Sequence, residues 1–147
     1  MSTIAWDGET LAADRCSWSA CARRRSRKVF ALTRADGSRV LVGFTGSQSF
    51  SVAVMDWMQG KGEKPDCKEF GVEPDNQCAI VIDEKRRVWT LGNKLQYCRM
   101  IEKIFALGGG QEFAWGALEA GATAKRAIEI AAKRGDYAGL GVDCVRF

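Results

Sequence analysis

With 147 residues, 46% of them hydrophobic and 27% charged, the chain has the composition of a single globular domain with a core of its own, which excludes a disordered or fibrous protein. It carries a formal charge of +4 and no histidine, so every His-dependent triad is excluded and hydrolytic chemistry would have to use Ser, Thr, Cys, Lys, a carboxylate or the α-amine. No apolar run approaches the ~20 residues needed to cross a bilayer and no secretory pattern opens the chain, so a cytoplasmic protein without a membrane partner is expected.

The six cysteines are scattered and form no Cys-x-x-Cys pair, which predicts reduced thiols. With histidine absent as well, neither a structural zinc site nor any other metal or cofactor is expected.

The chain opens Met1-Ser2-Thr3-Ile4-Ala5. If an aminopeptidase removes Met1, Ser2 carries a hydroxyl nucleophile and a free α-amine in one residue, and an amine that titrates near pH ~7.7 to 8.0 can take the hydroxyl's proton. Thr3 to Trp6 and Thr10 to Ala13 read as two strands around an Asp7-Gly8 hairpin turn, with Asp14 closing the second. A polar stretch from Arg15 to Arg27 follows. Its basic run, Arg23, Arg24, Arg25, Arg27 and Lys28, reads as a solvated turn between strands or as a patch for an acidic partner or nucleic acid.

Lys28 to Leu32 and Arg39 to Phe44 are predicted as strands around Asp36-Gly37, and Ser49 to Gln59 as a helix with Phe50, Val54 and Trp57 on one face. Residues 60–76 hold five glycines or prolines and read as a surface loop. Cys78 to Ile82 and Arg87 to Leu91 form a further predicted hairpin, and Lys103 to Leu107 a strand that ends in Gly108-Gly109-Gly110. Phe113, Ala117 and Leu118, then Ala124, Ala127, Ile128 and Ala131, fit two helices split near Gly121 with Thr123 as N-cap; Val142 to Phe147 alternates as a last strand. Hairpins with helices grouped between them predict an α+β protein of layered antiparallel sheets rather than a doubly wound one.

Ser2-Thr3-Ile4-Ala5, Leu11-Ala12-Ala13-Asp14, Arg27-Lys28-Val29, Gly43-Phe44-Thr45-Gly46-Ser47 and the segment from Ala106 to Glu119 (ALGGGQEFAWGALE), in that order, resemble the proteasome β-subunit family, in particular the HslV-type peptidases and their bacterial and phage relatives among the N-terminal-nucleophile hydrolases. The resemblance implies a four-layer αββα sandwich, here shortened at the C-terminus. It implies Ser2 as nucleophile, Lys28 as the lysine that eases deprotonation of the hydroxyl, Asp14 as that lysine's carboxylate, and Gly46 as the oxyanion donor. Asp136 stands near the place of a late carboxylate that assists the amine. Ser17, Ser26, Phe44, Gln48 and Val52 fall near the substrate side-chain pocket. The family's supporting hydroxyls are missing at Gly109 and Ala138.

As partners, the resemblance implies further copies of the chain in a ring or helical homo-oligomer, unfolded proteins or peptides as substrates, and a separate ATP-driven unfoldase; nucleic acid is not expected. An inactive assembly subunit of the same fold is the alternative.

Overall fold

Thr3–Trp6 (β1) and Leu11–Asp14 (β2) are buried on both faces, so each strand must be covered twice. The computed structural model describes residues 2–71, 79–92, 94–136 and 138–147. Within them β1 and β2 pair around the Asp7-Gly8 turn, where the Asp7 carboxylate accepts from the N–H groups of Glu9 (2.9 Å) and Thr10 (2.8 Å). Phe105–Gly108 (β10) and Val142–Val145 (β11) complete a four-stranded antiparallel sheet in the order β10-β1-β2-β11.

A second antiparallel sheet runs in sequence order through Val29–Thr33 (β5), Arg39–Phe44 (β6), Ala79–Asp83 (β7), Val88–Leu91 (β8) and Tyr97–Arg99 (β9). Cys16–Ser19 (β3) and Ala22–Arg25 (β4) form a separate two-stranded ribbon.

Period-2 alternation sorts the strand residues between cores. Ile4, Trp6, Leu11 and Ala13 on one face of the four-stranded sheet meet Leu41, Ile80, Ile82 and Val88 of the other sheet. A Cβ added at Gly43 would lie 3.0 Å from Ile4 Cγ2, so glycine there lets the sheets close on each other. On the opposite face, Ala5, Ala12 and Ala106 pack against Ala114, Ala117 and Leu118 of helix Gln111–Glu119 (α2) and Ala127 and Ile128 of helix Ala124–Arg134 (α3). The small alanines on both sides let these helices sit close to the sheet. Helix Gln48–Met58 (α1) covers the outer face of the five-stranded sheet, with Phe50, Val54 and Met58 against Val40, Val42 and Val81. Each large side chain so buried contributes roughly 1.5–3 kcal/mol.

The helix caps follow from local chemistry. Ser47 Oγ accepts from Phe50 N–H and Thr123 Oγ1 from Arg126 N–H. Asp7 adds a long-range cap, its second oxygen accepting from Ala124 N–H at 2.7 Å, which ties the first turn of the chain to α3.

Several expectations are corrected. The stretch from Arg15 to Arg27 is the β3–β4 hairpin, so Arg23 to Arg25 lie on a strand and not in a turn; every β4 residue is exposed. The α1 stripe continues through Met58, with Trp57 half-buried beside it under the Lys64 ammonium. In α2, Phe113 is 45% exposed and Ala114 takes the inward place. The loop after α1 contains a 3₁₀ turn, Cys67–Phe70, whose Phe70 ring packs 5.5 Å from Phe50. Strand β9 had no counterpart in the expected order, and β11 ends at Val145. Cys78 and the end of the expected loop at Asn76 lie outside the described residues.

Candidate active site

Four segments converge on one carboxylate. Asp14, at the end of β2, is fully buried and accepts from Thr3 N–H (2.8 Å), Cys16 N–H (2.9 Å) and Gly139 N–H (3.3 Å). Lys28, just before β5, brings its ammonium to both Asp14 oxygens, at 3.0 and 3.1 Å, and also donates to the Cys16 carbonyl. Burying two charges costs several kcal/mol per ion unless their remaining donors and acceptors are satisfied. Here three backbone amides complete the carboxylate, so the pair can persist where water is excluded.

Ser2 precedes β1 and is itself buried, at 6% exposure, as is Lys28 at 7%. The glycine-rich turn holds it there. Gly109 N–H donates to the Ser2 carbonyl at 2.8 Å, and a Cβ at Gly108, whose φ is +100°, would lie 2.0 Å from that same oxygen. At Gly110 a Cβ would meet Thr3 Oγ1 at 2.3 Å. The turn is therefore glycine because the backbone passes directly against Ser2 and Thr3.

Ser2, Lys28 and Gly46 line one cavity of about 230 Å³, together with Ser17, Ser26, Phe44, Gln48 and Val52. Eight of the residues singled out in the sequence thus share one space, and Asp14 stands directly behind Lys28. Gly46 has φ +86° and nothing within 4 Å of an added Cβ, so its left-handed backbone faces open space at the cavity. Asp136 is exposed after α3 and is not among the lining residues. Gly109 is exposed, and Ala138, at 6% exposure, offers no hydroxyl.

The sequence reading missed Cys16, Arg27, Phe30, Ser51 and Met55 in the lining. Two signals were available. Gln48, Ser51, Val52 and Met55 are one face of α1 at i, i+3, i+4 and i+7. Phe30 is reached across the β5–β6 pair, its ring 6.3 Å from that of Phe44. A larger cavity of about 320 Å³ lies at the far ends of the β5–β6 and β7–β8 hairpins, lined by Arg34, Ser38, Asp83, Glu84, Trp89 and Tyr97 among others.

The two apposed antiparallel sheets, with helices packed on their outer faces, have the fold of the proteasome-type N-terminal-nucleophile hydrolases. Among solved structures, the chain is similar to Thiobacillus denitrificans BPH (18% identity, 99% of this chain and 96% of that one, TM-score 0.69). It is also similar to HslV from Trypanosoma brucei (21% identity, 97% of each chain, TM-score 0.66). A third similar structure is the helical Anbu assembly of Pseudomonas aeruginosa (11% identity, 100% of this chain and 81% of that one, TM-score 0.68). BPH has also been solved in complex with epoxomicin. No protein-family model and no curated protein matches the sequence. At these identities the likeness establishes the fold.

Among the described residues no helix is long and apolar enough to cross a membrane, and no group of three or more His, Cys, Asp or Glu side chains could hold a metal ion.

Proposed function

We propose that this chain is a proteasome-like peptidase subunit, with Ser2 as the N-terminal nucleophile after removal of Met1. The observation that carries the proposal is the single cavity lined by Ser2, Lys28 and Gly46, with the Asp14 carboxylate closed behind Lys28. Ser2 Oγ attacks the scissile carbonyl carbon while its proton passes to the freed α-amine. The Lys28 ammonium, held by Asp14, favours the developing alkoxide. The tetrahedral oxyanion accepts from Gly46 N–H, a donor of a kind worth ~2.7–4 kcal/mol in the transition state. Collapse breaks the C–N bond, the departing amine takes the proton, and an ester on Ser2 Oγ remains. Water, deprotonated by the same α-amine, then releases the acyl group as a carboxylic acid.

Ser17, Ser26, Phe44, Gln48 and Val52 form the pocket for the substrate side chain. Asp136, exposed and outside the cavity lining, is proposed only as a distant auxiliary charge whose removal has a small effect. The three apolar clusters support a four-layer αββα sandwich. By analogy with the Anbu helical assembly, copies of the chain form a ring or helical homo-oligomer that admits unfolded proteins or peptides, supplied by a separate ATP-driven unfoldase. A cytoplasmic location is part of the same proposal.

The alternative is a catalytically inactive assembly subunit. It is favoured by the absence of a hydroxyl at Gly109 and Ala138, which leaves proton transfer through the amine less organised.

Intact mass spectrometry of the natively expressed protein, with and without an epoxyketone that needs both the hydroxyl and the free amine, decides between them. The peptidase is expected to have lost Met1 and to gain one adduct. The adduct is expected to be absent in Ser2→Ala, strongly slowed in Lys28→Met, and little changed in Asp136→Asn. Complete retention of Met1 with no adduct would leave the inactive subunit.

A further inference from the structure

Arg23, Arg24 and Arg25 lie side by side on β4, all exposed, and Arg27 follows at the cavity wall. Among the described residues none of these four arginines has a salt bridge, whereas the neighbouring Arg15 is paired with Asp143 at 2.6 Å. Four clustered cations without an ion pair of their own add their potentials over one small surface, Arg25 and Arg27 lying in one cavity with the Arg15–Asp143 pair. The register puts Arg24 opposite Ser17 and Arg25 opposite Cys16, and both Ser17 and Cys16 line the Ser2 cavity. The basic surface is thus continuous with the cavity wall. Moreover β4 has a strand neighbour on one side only, so its outer edge can accept an extended chain by main-chain hydrogen bonds.

We infer that the β3–β4 hairpin is a docking arm for acidic polypeptide, which holds a segment with carboxylates on the outer edge of β4 and leads the adjoining residue into the Ser2 cavity. This rests on the proposed function for the identity of the cavity, and it names the substrate class that the cavity receives. The lining fits a polypeptide. Phe30, Phe44 and Met55 give an apolar floor for one uncharged side chain, and the lining contains no carboxylate that would welcome a basic one. A single-stranded nucleic acid would need a run of stacking rings beside its basic track, and the hairpin carries one, Trp18, 46% exposed opposite Arg23.

Binding is measured on the full chain carrying Ser2→Ala, so that no cleavage is required, by fluorescence anisotropy. The probes are fluorescein-labelled peptides that share an apolar centre and differ only in acidic, neutral or basic flanks. The acidic peptide is expected to bind about tenfold tighter than the neutral one, as a few exposed ion pairs acting together deliver. That advantage is expected to shrink between about 0.1 and about 1 M salt. Arg23→Glu/Arg24→Glu should abolish it and turn the preference toward the basic peptide, while Arg126→Glu, on α3, should leave it unchanged. Circular dichroism and the sedimentation coefficient of each variant report folding and assembly.

Equal binding of acidic and neutral peptides would overturn the inference, as would tighter binding of a single-stranded oligonucleotide of equal charge. So would a charge reversal that dissociates the oligomer without changing peptide preference, since the arm would then contact a second copy. Epoxyketone labelling of the chain with Ser2 intact is scored separately: a labelled protein without acidic preference sinks the docking arm alone, and an unlabelled protein that retains the preference sinks the peptidase alone.

Discussion

Two of the cavities among the described residues each have cations paired to carboxylates, and the pairs differ in what surrounds them. Behind the Ser2 cavity, Asp14 and Lys28 are 0% and 7% exposed and the carboxylate takes three backbone amides. Around the larger cavity, Arg39 and Glu84 are 62% and 46% exposed, and Arg87 reaches Asp83 from a half-exposed position. Both cavities contain good hydrogen bonds at ordinary lengths. Burial is what separates them: water screens and competes with the outer pairs, whereas breaking the inner one leaves a largely buried ion without its counter-charge.

Asp14→Ala tests the extreme of that contrast. It removes the counter-charge of the buried Lys28 ammonium and the acceptor of three amides, and urea unfolding should register a loss of about 3–5 kcal/mol. Gly108→Ala attacks the same site from the wall. Its φ of +100° and the 2.0 Å approach to the Ser2 carbonyl predict a cost of at least about 1–3 kcal/mol in the same assay, together with slower epoxyketone labelling as Ser2 shifts.

Asp7 lies between the extremes, a half-buried carboxylate that serves three amides, one of them the first of α3. Asp7→Ala should cost about 0.5–2 kcal/mol. Glu84→Gln, at the exposed pair, should change stability by less than about 1 kcal/mol, and added salt should erase the difference.

Acid sharpens the comparison further. Burial pushes the Asp83 carboxyl upward, but hydrogen bonds from Arg87 and Trp89 together outweigh it and hold the group below its ordinary value of 3.8. A depressed folded value means that its stabilising contribution is complete above the unfolded pKa and is lost as pH falls through the folded one. The difference in unfolding midpoint between the native chain and Asp83→Asn should therefore stay constant from neutral pH down to about 4 and shrink below it.

The sequence made the inner site more legible than the outer surface. Ser2, Asp14, Lys28 and Gly46 stand in short ordered motifs, and Ile4, Leu41, Val54 and Ile128 follow the strand and helix periods that burial imposes. The β3–β4 hairpin escaped because Arg23-Arg24-Arg25 has no apolar alternation, and β9 because its three residues are all exposed. Contacts such as Gly139 to Asp14 and Ala124 to Asp7 join positions 125 and 117 residues apart, which no local pattern encodes. Phe113 failed for the opposite reason, since an aromatic at helical spacing reads as core while here the smaller Ala114 fits the close helix–sheet contact.

Because β2 lies between β1 and β11, the opening hairpin is flanked by a strand that begins only at Val142. During synthesis, then, Ser2 waits in an unfinished setting for nearly the whole length to emerge. Its carboxylate support receives the Gly139 amide, and its sheet the closing strand, among the last events of translation. The surroundings of Ser2 and Asp14, encoded near one end of the sequence, are in this way completed by residues encoded near the other.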